Sequence, residues 1–165
     1  MKKVFLMLAV ACAGFAGCQR NESAPAVNKE EVSKAVGKLF DEFNAAFKNK
    51  DASALGNVLS DDGLFLGTDP EEFWSKQGVL EDVSKLAQDT TINLDHTVDK
   101  RDIRVSADGH MALVIEQTVV PFLGKIPVRM IAHAAMKDGQ WKIDFSSWSL
   151  IPKNESLDKL SGAYQ

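Results

Sequence analysis

The sequence predicts an α+β fold in which about three N-terminal helices pack against a curved, mostly antiparallel sheet. Two observations carry this prediction. Apolar residues recur at helical spacing after residue 28, and from Thr91 onward the spacing changes to long β-type segments separated by glycine turns. Helices followed by a run of strands are typical of a layered fold, in which each helix buries its apolar stripe on one face of a sheet.

The first residues form a targeting segment. Two lysines precede an apolar run at residues 4–14, which is too short to span a bilayer as a helix. Ala16 and Gly17 then precede Cys18, and small residues before a cysteine resemble the cleavage site of bacterial lipoproteins, in which the cysteine thiol takes a diacylglycerol. The alternative is an ordinary signal peptide that is cleaved near Gly17.

This interpretation divides the chain into a signal peptide at residues 1–17, a lipidated Cys18 with a flexible tether at residues 18–28, and a domain at residues 29–165. Gln19 follows the cysteine, which by the same resemblance implies the outer membrane of a double-membrane bacterium, on its periplasmic side. We expect contact with the membrane through the lipid anchor alone, since no other segment is apolar enough to cross a bilayer.

Three helix starts are predicted from capping residues. Asn28 begins a capping box, and the apolar spacing after it predicts an amphipathic helix of about five turns. Asp51 is expected to cap a short second helix. The pair Asp69 and Pro70 is typical of a helix N-terminus and predicts a third helix that runs to about Leu86.

Glycine turns set the register of the four strands that follow. The turns lie at Asp108-Gly109, Leu123-Gly124 and Asp138-Gly139. Two-residue turns would place Leu113 on the face of Arg104, whereas three-residue loops with a left-handed glycine would place it with Ile103. We adopt the three-residue loops because they collect the large apolar residues on one face, which we expect to be the inner one.

This register also defines the outer face of the sheet. It would hold the apolar residues Ala112, Val114, Val128, Met130, Ala132, Ala134 and Met136. That set is too apolar for a solvated sheet face and predicts a homodimer that forms through the outer face. The alternative is that the C-terminal segment, residues 157–164, covers it.

The inner face is expected to hold a few polar side chains, which need partners when they are buried. The candidate ligand-binding residues are Gln117, Arg129, His133 and Ser147, with Trp74 at the mouth of the fold. Arg129 is the strongest candidate, because a ligand carboxylate would satisfy a buried guanidinium. The alternatives are an ion pair of Arg129 with Asp69 or a helix-borne glutamate, and a structural role for His133.

Three stretches of the chain resemble the SnoaL-like domain family of the nuclear transport factor two-like superfamily, which includes ketosteroid isomerases and polyketide cyclases. They are FNAAFKNKD, ALGNVLSDDGLFLGTDPEEFW and DGQWKIDFSSWS. The resemblance extends from Val32 to about Pro152. It implies a conical half-barrel in which helices pack inside a strongly bent sheet, with a cavity at the open end.

The resemblance implies a fold and leaves the reaction open. In ketosteroid isomerases a tyrosine of the first helix contributes to the oxyanion hole, and here that position holds Phe43. Their catalytic aspartate stands before a proline, and Asp69-Pro70 is similar at a shifted position. Asp69 is therefore a candidate general base, with a helix N-cap as the alternative, and the sequence does not decide whether the chain is an enzyme.

Charge and motif content narrow the function further. The formal net charge is −4 with scattered lysines, which does not fit a nucleic-acid binder. No histidine pair shares ligand spacing with a carboxylate and no nucleotide motif is present, so we expect neither a metal nor a cofactor. The leading hypothesis is an envelope lipoprotein that binds a small amphipathic molecule, with an acid as the first candidate. The alternatives are an isomerase, cyclase or hydrolase that uses Asp69, and an interaction protein that acts through its dimer face.

Overall fold

A computed structural model of the protein describes residues 27–124 and 126–162. The predicted signal peptide and Cys18 lie outside the described residues. The helices are α1 (Lys29–Lys48), α2 (Ala52–Val58), α3 (Lys76–Gln88) and α4 (Leu157–Ser161), and the strands are β1 (Leu59–Leu66), β2 (Phe73–Ser75), β3 (Val98–Val105), β4 (Met111–Thr118), β5 (Val128–Lys137) and β6 (Gln140–Leu150). None of these helices is long and apolar enough to cross a membrane.

Within the described residues, the strands form one sheet in the order β2-β1-β6-β5-β4-β3. β1 and β6 are parallel, and every other neighbouring pair is antiparallel. Helices α1 to α3 pack against one face, around a core that includes Phe40, Leu55, Val114, Met130 and Ile143. The predicted α+β architecture with a curved, mostly antiparallel sheet is confirmed, and the short helix α4 is additional to the three predicted helices.

Side-chain caps fix the starts of α1 and α2 where the sequence predicts them. The Asn28 carboxamide oxygen accepts the Glu31 N–H at 3.2 Å, and the Asp51 carboxylate accepts the Ala54 N–H at 2.9 Å. Such caps satisfy backbone donors that the first helical turn leaves without partners. Both helix starts are therefore confirmed.

The predicted start of the third helix at Asp69 is wrong. The Asp69 carboxylate accepts the Glu71 N–H at 3.0 Å and closes a tight turn instead of capping a helix. The chain then reverses, and Phe73–Ser75 pairs as β2 with the end of β1. The helix α3 begins directly after this strand, where the Ser75 hydroxyl accepts the Gly78 N–H at 3.3 Å.

The predicted three-residue loops between strands are also wrong. Asp138 and Gly139 have φ values of 50° and 78°, and two successive positive φ angles are those of a two-residue hairpin turn. Val105 of β3 pairs with Ala112 of β4, so an even number of residues lies between these paired positions as well. A one-residue change in register moves every side chain of a strand to the opposite face.

The predicted inner and outer faces of β4 and β5 are exchanged as a result. The small residues Ala112, Ala132 and Ala134 lie in the core, where the aromatic side chains of α1 fill the space in front of them. The apolar set expected on the outer face is therefore the core itself. Leu113 and Ile131, expected inside, are 38% and 41% exposed on the opposite face.

A β-bulge changes the facing of β6 halfway along the strand. Ala134 pairs with Ile143, but the preceding residue of β5 pairs with Phe145, so Asp144 is the extra residue. The bulge shifts the alternation of side chains by one residue. Ile143 before the bulge and Trp148 after it consequently both point toward the helices. Phe145 lies on the outer face beside His133, whereas the adopted register would place the large apolar residues on the inner face.

A buried ion pair joins the sheet to α1. Glu116 is 2% exposed, and its carboxylate accepts hydrogen bonds from Arg101 Nε at 2.5 Å and from Asn44 Nδ2 at 2.9 Å. The Arg101 guanidinium also donates to Asp41 at 2.7 Å. Burial alone would lower the pKa of Arg101, but the two carboxylates raise this pKa above its usual value. The charge of Glu116 is thus compensated inside the core.

Candidate functional site

An apolar cavity of about 330 Å³ opens between α1, α3, β2, the end of β6 and the segment after β4. Its apolar lining includes Phe47, Trp74, Val83, Leu86, Leu94, Val120 and Trp148, and its polar lining includes Thr68, Glu72 and Asp82. We call this space the cone cavity. Its volume falls within the range of small-molecule sites, which are mostly apolar with a few polar groups.

Aromatic rings form much of the cone-cavity lining. Trp148 stacks on Phe47 with ring centroids 5.7 Å apart, and Phe43 lies behind them in the core at 6.4 Å from each ring. A second space of about 50 Å³ adjoins the cone cavity and shares Trp74 and Val79 with it. Packed rings of this kind offer a rigid apolar surface to a ligand.

Glu72 reaches the cone cavity from the turn between β1 and β2. Its carboxylate accepts the Asp69 N–H at 2.8 Å, and its backbone carbonyl accepts the Gly67 N–H at 3.1 Å. A Cβ atom at residue 67 would lie only 1.9 Å from the Glu72 carboxylate. The missing side chain of Gly67 therefore makes room for this carboxylate, which is held in one place by the turn.

Asp82 reaches the cone cavity from α3. It lies on the same helical stripe as Val79, Val83 and Leu86, all of which line the cavity. The side chain is half-buried, and no hydrogen bond or ion pair joins it to another described residue. A carboxylate on an apolar stripe is a departure from the usual helix pattern, in which charged residues face water.

Of the site residues predicted from the sequence, Trp74 lies in the cone cavity. It stands on β2 and not on a helix. Asp69 is exposed in the neighbouring turn and is absent from the cavity lining. Its carboxylate is engaged by the Glu71 N–H, so it occupies a structural position in this turn.

The other predicted ligand-binding residues lie on the outer face of the sheet, because the strand register differs from the predicted one. Gln117 and Arg129 are cross-strand neighbours there, and Arg129 is exposed. His133 Nδ1 lies 2.6 Å from the Asp144 carboxylate at the bulge. Ser147 pairs with Ile131 on the same face. The prediction that these four side chains line the interior is wrong.

The sequence reasoning missed most of the cavity lining. The apolar spacing of α1 indicates an inward position for Phe47 but does not assign it to a cavity, and Trp148 faces inward only because of the bulge at Asp144. The position of the Glu72 carboxylate depends on a turn in a segment where the sequence predicts a helix start. The sequence does indicate an inward position for Asp82, since this residue falls at the third position after Val79 on an apolar stripe.

A separate polar groove lies between the start of β1 and the turn of β5 and β6. Lys76 bonds Asp61 at 2.7 Å, and Lys137 bonds Asp62. The hydrogen bonds from Lys137 and Ser60 lower the pKa of Asp62 to about 2. Lys142 donates to the Asn57 carbonyl at 2.5 Å. These lysines already have hydrogen-bond partners, so the groove offers a ligand fewer unpaired polar groups, and we regard the cone cavity as the better candidate site.

Solved structures from bacteria share this fold at low sequence identity. A nuclear transport factor two-like protein of unknown function from Pseudomonas putida is 13% identical, with a TM-score of 0.64 over 77% of this chain and 92% of that chain. A nuclear transport factor two-like protein from Cytophaga hutchinsonii is 21% identical, with a TM-score of 0.61 over 76% and 100%. An uncharacterized protein with a cystatin-like fold from Caulobacter vibrioides is 12% identical, with a TM-score of 0.63 over 82% and 99%.

These similarities show the fold alone. No curated protein sequence matches the chain. The family model of the SnoaL-like domain matches residues 36–153, which include α1 from its second turn, the whole sheet and the cone cavity. The chain therefore belongs to the SnoaL-like domain family.

Proposed function

We propose that the chain is an envelope lipoprotein whose SnoaL-like domain binds a small amphipathic molecule in the cone cavity. The cavity itself is the observation that carries this proposal, because it combines about 330 Å³ of apolar space with two carboxylates. Arg129 lies outside the cavity, and no described lining residue is cationic. The anionic ligand expected from the sequence therefore has no counter-charge there, and we do not retain it.

Catalysis by Asp69 finds no support in this geometry. A general base must reach the proton that it removes, within hydrogen-bond distance or through one water. The Asp69 carboxylate lies in an exposed turn and is not part of the cavity lining. Binding is therefore the function that the cone cavity supports best.

Ligand entry is expected to be blocked by filling the cavity from α3. In Leu86→Trp, the larger side chain takes up space inside the cone cavity, and we expect affinity for the neutral fluorescent probe N-phenylnaphthylamine to fall at least about tenfold. Ala87→Trp is the matched control, since Ala87 is exposed on the same helix. A fluorescence titration measures both variants. Equal affinity of parent and Leu86→Trp for the probe would refute the proposed site.

The lipid anchor is a further part of the proposal. Cys18→Ser removes the thiol that would carry the diacylglycerol, and the protein should move from the membrane fraction to the soluble periplasmic fraction of a double-membrane bacterium. Cys12→Ser is the control, because Cys12 lies within the predicted signal peptide and should leave the anchor intact. Immunoblots of the two fractions measure where each variant is found, and membrane retention of Cys18→Ser would contradict the proposal.

We also propose that two copies of the chain associate through the outer face of the sheet. Leu64, Phe145 and Leu113 lie in one row across β1, β6 and β4. His133 of β5 stands between Phe145 and Leu113 in this row, and Ile131 lies in the next outward-facing row. Leu64, Leu113 and Ile131 are 44%, 38% and 41% exposed. Several large apolar side chains exposed on one sheet face favour a protein interface, and the same face on two copies suits a two-fold dimer.

A further inference from the structure

We propose that the cone cavity selects small amphipathic cations, namely amines or quaternary ammonium compounds with an apolar ring or branched body. This inference rests on the proposed binding function, because it names the charge of the ligand that the same cavity takes. Three features of the cavity carry it: the sign of its charged groups, the way in which one of them is held, and the aromatic rings beside them.

The charged groups of the lining are all acidic among the described residues. Glu72 and Asp82 are present, and no lysine, arginine or histidine accompanies them. Charges interact more strongly beside apolar walls than in bulk water, because the local dielectric constant is lower. An anionic ligand would meet two like charges there and lose its hydration, whereas a cation would replace hydration with an attractive partner.

The Glu72 carboxylate is fixed before any ligand arrives. The Asp69 N–H holds one of its oxygens at 2.8 Å, and this oxygen lies so close to Gly67 that a side chain there would displace it. This backbone donor keeps the carboxylate at the cavity while its other oxygen has no partner among the described residues. A group held in this way loses little conformational freedom when it binds a cation.

Asp82 supplies the second acidic group from α3. Its side chain is half-buried beside Val79 and Val83, and no described residue provides a counter-charge. Helical positions that face an apolar cavity are ordinarily apolar, since a partly buried charge without a partner destabilises the folded state. A cationic ligand would supply the partner that the described part of the chain lacks.

The aromatic rings favour an organic cation over a metal ion. Trp74, Trp148 and Phe47 line the cavity together, and a ring face attracts an ammonium group within about 6 Å of its centroid. The mostly apolar walls offer few oxygen ligands to a hydrated metal ion, which prefers six or more. The same walls suit the apolar body of an amine.

The proposal is tested with three ligands that differ in charge and share one body: phenylbutylamine, phenylbutanol and phenylbutyrate. Calorimetric titration of the folded parent at neutral pH should give an affinity for the amine about tenfold above that for the alcohol, and weaker binding still for the acid. In the double variant Glu72→Gln, Asp82→Asn, the affinity for the amine should fall to within about twofold of the alcohol. Glu81→Gln is the matched control, because Glu81 is exposed beside Asp82 on α3 and does not line the cavity.

The outcomes separate this inference from the binding function. If the alcohol and the acid bind as tightly as the amine, the charge preference is overturned while the cavity remains a binding site. The same holds if the double variant keeps the full preference for the amine. If none of the three ligands binds and N-phenylnaphthylamine does not enter either, both the inference and the proposed function fail.

Discussion

Val114→Asp is expected to abolish cooperative folding, whereas Leu113→Asp at the adjacent position is expected to preserve it. Val114 is 0% exposed and faces α1, so an aspartate there would be a buried charge without a partner. The penalty for such an ion is several kcal/mol, which is comparable with a total stability of about 5–15 kcal/mol. Leu113 points away from the helices, where water can solvate a charge.

Urea unfolding followed by circular dichroism distinguishes the two variants. Leu113→Asp should show a single cooperative transition, and sedimentation velocity should find it monomeric where the parent is a dimer, because the charge falls in the proposed interface. Leu157→Asp serves as the control for sedimentation, since Leu157 is exposed on α4 and is not part of the sheet. A folded Val114→Asp together with an unfolded Leu113→Asp would contradict the strand register.

Arg101→Met is expected to lower the free energy of unfolding by about 3–5 kcal/mol, because it leaves the buried Glu116 carboxylate without its counter-charge. Among the described residues, the carboxylate would then retain only the hydrogen bond from Asn44. Chemical denaturation measures the change in the free energy of unfolding. An unaltered slope of this free energy against denaturant concentration would show that the unfolded state is not affected.

Two further variants make the Arg101 experiment specific. Arg104→Met removes an ion pair with Asp102 from the same strand, but both of those side chains are exposed, so the loss should stay below about 1 kcal/mol. The double variant Arg101→Met, Glu116→Leu removes both charges and should recover much of the stability that Arg101→Met loses. A loss for Arg101→Met no larger than that for Arg104→Met would contradict a buried ion pair.

The parts of the fold that the sequence predicts correctly depend on local interactions. Asn28 and Asp51 cap helices through hydrogen bonds to residues three positions away, so their sequence context alone contains the relevant information. The glycine turns likewise separate the strands where they were predicted. The α+β class follows from these elements, because helices and a sheet with one apolar face can bury their surfaces only against each other.

The facing of the strands could not be predicted from the same information. The two-residue turn at Asp138 and Gly139 was one of two options, and the choice of the larger apolar residues for the core proved misleading. The structure instead places alanines in the core, because the aromatic residues of α1 supply the volume. The bulge at Asp144 depends on the pairing of β5 with β6, which a single strand does not reveal.

The candidate site likewise contains residues that the sequence predicts and residues that depend on the strand register or on a turn. Trp74 lies in the cavity as predicted, although the sequence predicts it on a helix and the structure places it on β2. Arg129 was chosen for its charge on a face that proved to be the outer one. Glu72 depends on a turn closed by Asp69, and only Asp82 could have been identified from helical spacing alone.

The central claim is that ligands enter the cone cavity, and the indole N–H signals of the three tryptophans test it most directly. Trp74 and Trp148 line the cavity, whereas Trp141 lies elsewhere in the core. In an NMR titration with phenylbutylamine, the signals of Trp74 and Trp148 should shift in a saturable manner while that of Trp141 stays in place. Saturable binding that shifts Trp141 and leaves both cavity signals unmoved would contradict the account.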